Sequence, residues 1–113
     1  GMVDKKFISR MKSNAILINT ARGSTINEND LYIALKNHWI LGAGLDTYAQ
    51  EPPTADNPLW KLDNIVVTPH VGGNTADMNC LMVDRVVGNI IRMENNEPLP
   101  NGDLVNSEYL IKQ

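Results

Sequence analysis

Cysteine, basic clusters and long apolar runs are scarce in this sequence, and each shortage closes off a class of function. The 113 residues contain a single cysteine, Cys80. No internal disulfide framework can form, and a reducing cytoplasm is the expected location. No apolar run approaches the ~20 residues of a membrane span. No signal peptide is visible, because the N-terminus lacks an extended apolar core. The formal net charge is −3 and the Lys and Arg residues do not cluster. That argues against nucleic acid or an anionic membrane as the main partner. His38, His70, Cys80 and the acids show no metal-ligand spacing, so no metal site is expected. Internal repeats and low-complexity segments are absent. Gly1-Met2 is either a tag scar ahead of a start codon or a point inside a longer chain.

What remains is ordinary globular composition, 42% hydrophobic and 20% charged, enough for one modest core. Asp4 can cap a short helix with Phe7, Ile8 and Met11 on one face, broken at Ser13-Asn14. Ala15-Ile16-Leu17-Ile18 is a continuous apolar run between polar turns. It suits a parallel strand buried on both faces. A second helix is marked by Asn27 at its N-cap, Asp30 three residues on, and an Ile26–Leu31 staple. Leu31, Ala34 and Leu35 form its buried face. Lys36 suits its negative pole, and His38 reads as a C-terminal cap. Ile40 to Leu45 reads as a second strand. From Asp46 to Asn64 neither helix nor strand is expected, because Pro52, Pro53 and Pro58 forbid most regular structure. Leu59, Trp60 and Leu62 should pin that loop by packing.

Ile65-Val66-Val67-Thr68 reads as the third strand, ended by Pro69. A helix from about Thr75 to Met93 follows, capped by Asn74. Met78, Met82, Val86 and Ile90 form one row on it, with Val83, Val87 and Ile91 alongside. The stripe is wide enough for burial against a sheet or helix, and dimerisation through it is an alternative. Asn95 to Pro98 stops the helix. The tail is polar until Tyr109-Leu110-Ile111. Strands alternating with crossovers imply an α/β fold with a parallel sheet of about three strands and right-handed connections, ending in a long helix. Three strands are few, so a piece of a larger domain is expected.

In such a sheet all strand carboxyl ends lie on one side, where ligands bind. Arg22 follows the first strand, Asp46 and Glu51 the second, His70 the third. A histidine can move a proton between a hydroxyl and a carbonyl. A carboxylate on its other nitrogen orients the ring. Arginine matches a substrate carboxylate with two parallel hydrogen bonds. The set suits interconversion of a 2-hydroxy acid and a 2-keto acid, with hydride supplied by a cofactor. Gly72 and Gly73 leave the backbone open to a ligand.

These residues also carry a resemblance. Asn19-Thr20-Ala21-Arg22-Gly23, Gly42-Ala43-Gly44-Leu45-Asp46, Glu51-Pro52 and Thr68-Pro69-His70-Val71-Gly72 resemble the late motifs of the D-isomer-specific 2-hydroxyacid dehydrogenases. The D-3-phosphoglycerate dehydrogenase type is the nearest in pattern. The resemblance runs from about Val3 to Asn95 and implies an incomplete Rossmann-like sheet. It implies Arg22, Glu51 and His70 as catalytic residues, with Arg22 on the substrate carboxylate. It places Thr20, Ala21, Arg22, Asp46, His70, Gly72 and Gly73 at cofactor-contacting positions, Asp46 on the nicotinamide carboxamide. NAD is the implied cofactor, with NADP left open because the discriminating acid is absent.

The family's G-x-G-x-x-G cradle is also absent, and Gly42-x-Gly44 is no substitute, since no helix follows it. Residues 1–95 therefore resemble the C-terminal portion of an NAD(P)-binding domain, with 96–113 as a tail. The implied function is NAD-dependent hydride transfer between cofactor and a small D-2-hydroxy or 2-keto acid, 3-phosphoglycerate among the candidates. A cytoplasmic homodimer is expected, because the first strand has an unpaired edge. The isolated chain is expected to be inactive. The competing expectation is a non-catalytic α/β binding or dimerisation module.

Overall fold

The computed structural model describes residues 1–105 in two compact units, Gly1–Gly73 and the segment from Asn74 on. The expected apolar end at Tyr109-Leu110-Ile111 lies outside the described residues.

The first unit is built on three short strands: β1 (Ile16–Asn19), β2 (Gly42–Leu45) and β3 (Ile65–Val67). They pair in the order β1-β2-β3, all parallel. Ile16 faces Gly42 and Leu45 faces Val67 in the two ladders. Helix α1 (Lys5–Ile8) is capped by Asp4, whose carboxylate accepts the Phe7 N–H at 2.8 Å. Ile8 is buried, whereas Phe7 points to solvent, so the short helix presents a narrower apolar face than its spacing suggests. Helix α2 (Glu28–Lys36) starts at Asn27, whose side chain accepts the Asp30 N–H at 3.1 Å. It ends with His38 at φ 53°. The His38 and Trp39 N–H groups return to the Leu35 and Ala34 carbonyls at 3.0 and 2.9 Å, a two-bond C-terminal cap.

Leu31, Ala34 and Leu35 of α2 join Ile8, Leu17, Ile26, Ile40, Leu45, Tyr48 and Leu59 in one core. That core covers one face of the sheet only. Leu17 and Asn19 are buried, while Ile16 and Ile18 are 59% and 71% exposed. The expectation of a strand buried on both faces is corrected here: within the first unit α1 and α2 residues pack on one side, and the Ile16 and Ile18 side is exposed. Between β2 and β3 the proline-rich loop holds a 3-10 turn, Pro58–Lys61, which the sequence reading missed. Asn57 caps it by accepting the Leu59 N–H at 3.0 Å, and Leu59 is fully buried. Trp60 packs edge-on against Tyr48 at 5.3 Å and donates to the Thr54 carbonyl at 2.9 Å.

In the second unit α3 spans Ala76–Glu94. Its N-cap is Thr75 rather than Asn74, whose side chain instead accepts from Asn79 at 2.9 Å. Asn89 donates to the Asp103 carboxylate at 2.7 Å, and Arg85 pairs with the same group, so the segment after the helix folds back along it. No residue of α3 is buried, and the two apolar rows expected to be covered are about half exposed. No helix among the described residues is long and apolar enough to cross a membrane.

Candidate active site

The three strand ends of the first unit each carry a loop, and the side chains of interest sit on these loops. After β1, Asn19 is buried and turns its amide back on its own loop. It donates to the Arg22 carbonyl at 2.9 Å and accepts the Ala21 N–H at 3.1 Å. This Asx-type clasp fixes the turn that presents Arg22. The Arg22 guanidinium donates to the Ala21 carbonyl at 2.7 Å and remains exposed.

After β2, the Asp46 N–H continues the ladder by donating to the Asn19 carbonyl at 3.0 Å. The Asp46 carboxylate turns toward the β3 loop. Its Oδ1 accepts the Thr68 hydroxyl at 2.5 Å and the Val71 N–H at 2.9 Å. Its Oδ2 accepts the Gly72 N–H at 2.9 Å. The Thr68, Gly72 and Val71 donors, in that order, hold the Asp46 carboxyl below its ordinary range. A Cβ at position 72 would press to 2.9 Å from Oδ2, so glycine is needed for this approach. Gly73 would meet nothing within 4 Å.

After β3, the Thr68 N–H donates to Leu45 at 2.9 Å, and Pro69 then turns the chain. His70 adopts φ 54°, a left-handed conformation uncommon for non-glycine residues. Its N–H is satisfied by the Thr68 carbonyl at 3.0 Å. In this pose His70 Nδ1 lies 2.8 Å from Glu51 Oε2. The other Glu51 oxygen accepts the Tyr48 N–H at 3.0 Å. The Tyr48 N–H first and the His70 contact second hold Glu51 below the usual carboxylate range, with the charges of His70 and Arg22 adding to them. The Glu51–Pro52 peptide is cis.

The structure thus joins His70 directly to Glu51, sets Arg22 within electrostatic reach of Glu51, and fastens Asp46 to the His70 loop. Thr20, Asp46 and Thr68 line a cavity of about 170 Å³ at the strand ends, floored by Ile18, Gly44 and Val66. Ala21 spends both backbone groups inside its own turn. Sequence reasoning missed Asn19, Thr68 and Tyr48. An asparagine at a strand end is a recognisable turn signal; the tyrosine carries none. A half-exposed imidazole, oriented on one nitrogen by a carboxylate and open on the other, can exchange a proton with a bound hydroxyl or carbonyl.

Residues 1–72 match the profile described as D-isomer specific 2-hydroxyacid dehydrogenase, NAD binding domain. A glyoxylate reductase of Korarchaeum cryptofilum is 43% identical over 109 residues, covering 96% of this chain and 32% of that protein. A D-3-phosphoglycerate dehydrogenase of Archaeoglobus fulgidus is 40% identical over 103 residues, covering 89% of this chain and 19% of that protein. Among solved structures, a D-isomer specific 2-hydroxyacid dehydrogenase of Xanthobacter autotrophicus in complex with NADPH superposes with a TM-score of 0.77. It is 34% identical and covers 89% of this chain and 41% of its own. The chain spans a third or less of the length of the two curated relatives. A profile match over 72 of 113 residues, on a parallel sheet with the Rossmann-like geometry of its structural relative, makes the chain a member of the D-isomer-specific 2-hydroxyacid dehydrogenase family.

Proposed function

We propose that this chain supplies the proton-transfer end of an NAD-dependent oxidoreductase that interconverts a small D-2-hydroxy acid and its 2-keto acid. The observation that carries the proposal is the 2.8 Å contact between His70 Nδ1 and Glu51 Oε2 at the carboxyl edge of a parallel sheet. The bound nicotinamide dinucleotide supplies the hydride. Thr20, Ala21, Arg22, Asp46, His70, Gly72 and Gly73 are the residues assigned to hold its nicotinamide end. The cavity between Thr20, Asp46 and Thr68 supports that assignment. So does Asp46 Oδ2, which takes a single donor and keeps a lone pair for a carboxamide N–H. NADP serves the same chemistry, as in the NADPH complex of the Xanthobacter relative.

In this reading Arg22 binds the substrate carboxylate through its guanidinium fork. His70 holds the exchanging proton on Nε2: it gives that proton to the carbonyl oxygen during reduction and takes it from the hydroxyl during oxidation. Glu51 orients the ring and balances the imidazolium charge. Glyoxylate and 3-phosphoglycerate are both substrate candidates, one from each curated relative named above. Residues 1–95 form the C-terminal portion of the nucleotide-binding domain and 96–113 its tail. The unpaired edge of β1 and the exposed rows of α3 support a homodimer. The cytoplasm is its proposed location.

The test is a panel of hydroxy and keto acids on the intact protein, followed by nicotinamide absorbance, alongside His70→Asn. The variant should lower kcat by about 10²–10⁴-fold, with cofactor affinity falling far less because the other assigned residues share the nicotinamide end. Near-normal turnover in His70→Asn overturns the assignment.

A further inference from the structure

Tyr48 is tied to both partners of the His70–Glu51 pair. Its backbone N–H donates to Glu51 Oε1 at 3.0 Å. Its hydroxyl donates to the Thr68 carbonyl at 2.7 Å, with the Leu45 carbonyl more distant at 3.3 Å. That Thr68 carbonyl also accepts the His70 N–H at 3.0 Å. One residue therefore grips the carboxylate by its main chain and the histidine loop by its side chain. Tyr48 is 5% exposed and its ring packs edge-on against Trp60. Burial first, and the nearby Asp46 charge second, raise its phenol above the ordinary tyrosine value. That shift favours the protonated phenol, which donates.

The need for such a tether is visible at His70. His70 sits at φ 54°, a sparsely populated backbone region whose cost the surrounding contacts must offset. Asp46 secures the loop after His70 by accepting from Val71 and Gly72. Asp46 also secures the Thr68 side chain, while Tyr48 secures the Thr68 carbonyl. Without the phenol, that carbonyl would keep the His70 N–H alone, and the segment Thr68–His70 could slide relative to Glu51.

We infer that Tyr48 is a positioning residue for the acid/base pair, its hydroxyl fixing the Thr68 carbonyl so that His70 Nδ1 stays in register with Glu51. The inference rests on the proposed catalytic roles of His70 and Glu51. Tyr48 itself touches no reacting atom.

The experiment compares Tyr48→Phe, Trp60→Phe and His70→Asn in the intact enzyme. Tyr48→Phe removes one oxygen and keeps the ring packing and the N–H to Glu51. Its kcat should fall about 10-fold, the scale set by a sub-ångström misplacement of a reacting group. KM for the dinucleotide should stay within about twofold, since no cofactor-side bond is lost. The pH profile of kcat should move. In the cofactor-free enzyme the downfield imidazole N–H resonance, absent in His70→Asn, should weaken or vanish in Tyr48→Phe. Trp60→Phe alters the packing on the same ring without touching the hydroxyl, so its pH profile and resonance should match wild type. If His70→Asn collapses turnover while Tyr48→Phe keeps wild-type kcat, pH profile and resonance, the positioning role is overturned and the catalytic assignment stands. If neither variant loses turnover, the catalytic assignment falls and takes this inference with it. If Trp60→Phe shifts the profile as far as Tyr48→Phe, ring packing rather than the hydroxyl is responsible, and the inference is overturned.

Discussion

Gly23 is the point where the β1 loop and the β2 loop touch, and Gly23→Ala should disturb both. A methyl at this position would fall on the carbonyl carbon and oxygen of Tyr48 and on the amide nitrogen of Ala49. All three contacts lie far inside the ~3.5 Å at which such atoms meet comfortably. All three are main-chain atoms, so no rotamer change relieves the clash. The opposing backbone is itself anchored. The Ala49 N–H donates to Glu28 Oε1 at 2.5 Å, and the Tyr48 N–H donates to Glu51. On the Gly23 side, its carbonyl accepts the Ile26 N–H at 3.1 Å, and Ile26 is a core residue. Overpacking a rigid site costs about 1–3 kcal/mol. With only anchored backbone able to move, the upper end applies, so we expect about 3 kcal/mol or more out of the ~5–15 kcal/mol that holds a typical domain. Urea unfolding of the intact protein measures this as a lower midpoint with an unchanged slope. Because the shift displaces Tyr48 and Glu51, turnover should fall too, beyond what the unfolded fraction accounts for. A destabilisation below about 1 kcal/mol with full turnover would refute the close approach of these two loops.

Asp46 should make the protein acid-sensitive. Its carboxyl titrates lower folded than unfolded, through the Thr68, Gly72 and Val71 donors, so the unfolded chain binds the proton first. That stability is fully present above the unfolded carboxyl value of ~3.9 and is lost as pH falls through the lower folded one. Asp46→Asn should therefore flatten the fall of the urea midpoint below about pH 4; an unchanged fall in the variant excludes Asp46 as a contributor. Asn19→Ala removes a buried amide that makes two hydrogen bonds across the Arg22 turn. It should lower stability by about 1–3 kcal/mol in thermal or urea unfolding. It should also raise KM for the keto acid more than KM for the dinucleotide; equal rises would detach Arg22 from the substrate carboxylate.

Apolar runs and capping residues exposed most of the framework. Ala15 to Ile18 and Ile65 to Val67 have few alternatives to a strand, and Asn27 with Asp30 marks the start of α2 to the residue. The errors share a physical origin. An apolar run reports which side chains avoid water but not what covers them, so Ile16 and Ile18 looked buried although both are exposed. The same gap applies to the rows of α3, which are about half exposed. The turn at Pro58–Lys61 was different, because its signals were present. Asn57 is a capping residue and Pro58 suits a first helical position, but the density of prolines around them suggested a featureless loop.

Parallel topology alone sends the loops of Arg22, Asp46, Glu51 and His70 to one edge, whereas Glu51 as the partner of His70 was legible only through the family resemblance. How the loops lock together depends on register, which the sequence does not display. Leu45 pairs with Val67, so the next residues along each strand, Asp46 and Thr68, become neighbours. That adjacency allows the Asp46 carboxylate to accept the Thr68 hydroxyl, and it brings the Thr68 carbonyl within reach of the Tyr48 phenol. A slip of one residue between β2 and β3 would reverse every side chain on the slipped strand. It would also carry Thr68 off both partners and leave Asp46 buried with its charge unmet. The bonds that shape the site therefore also select the register, and the loop chemistry at this edge supplies specificity that three short strands, one glycine-rich and two partly exposed, do not supply by packing alone.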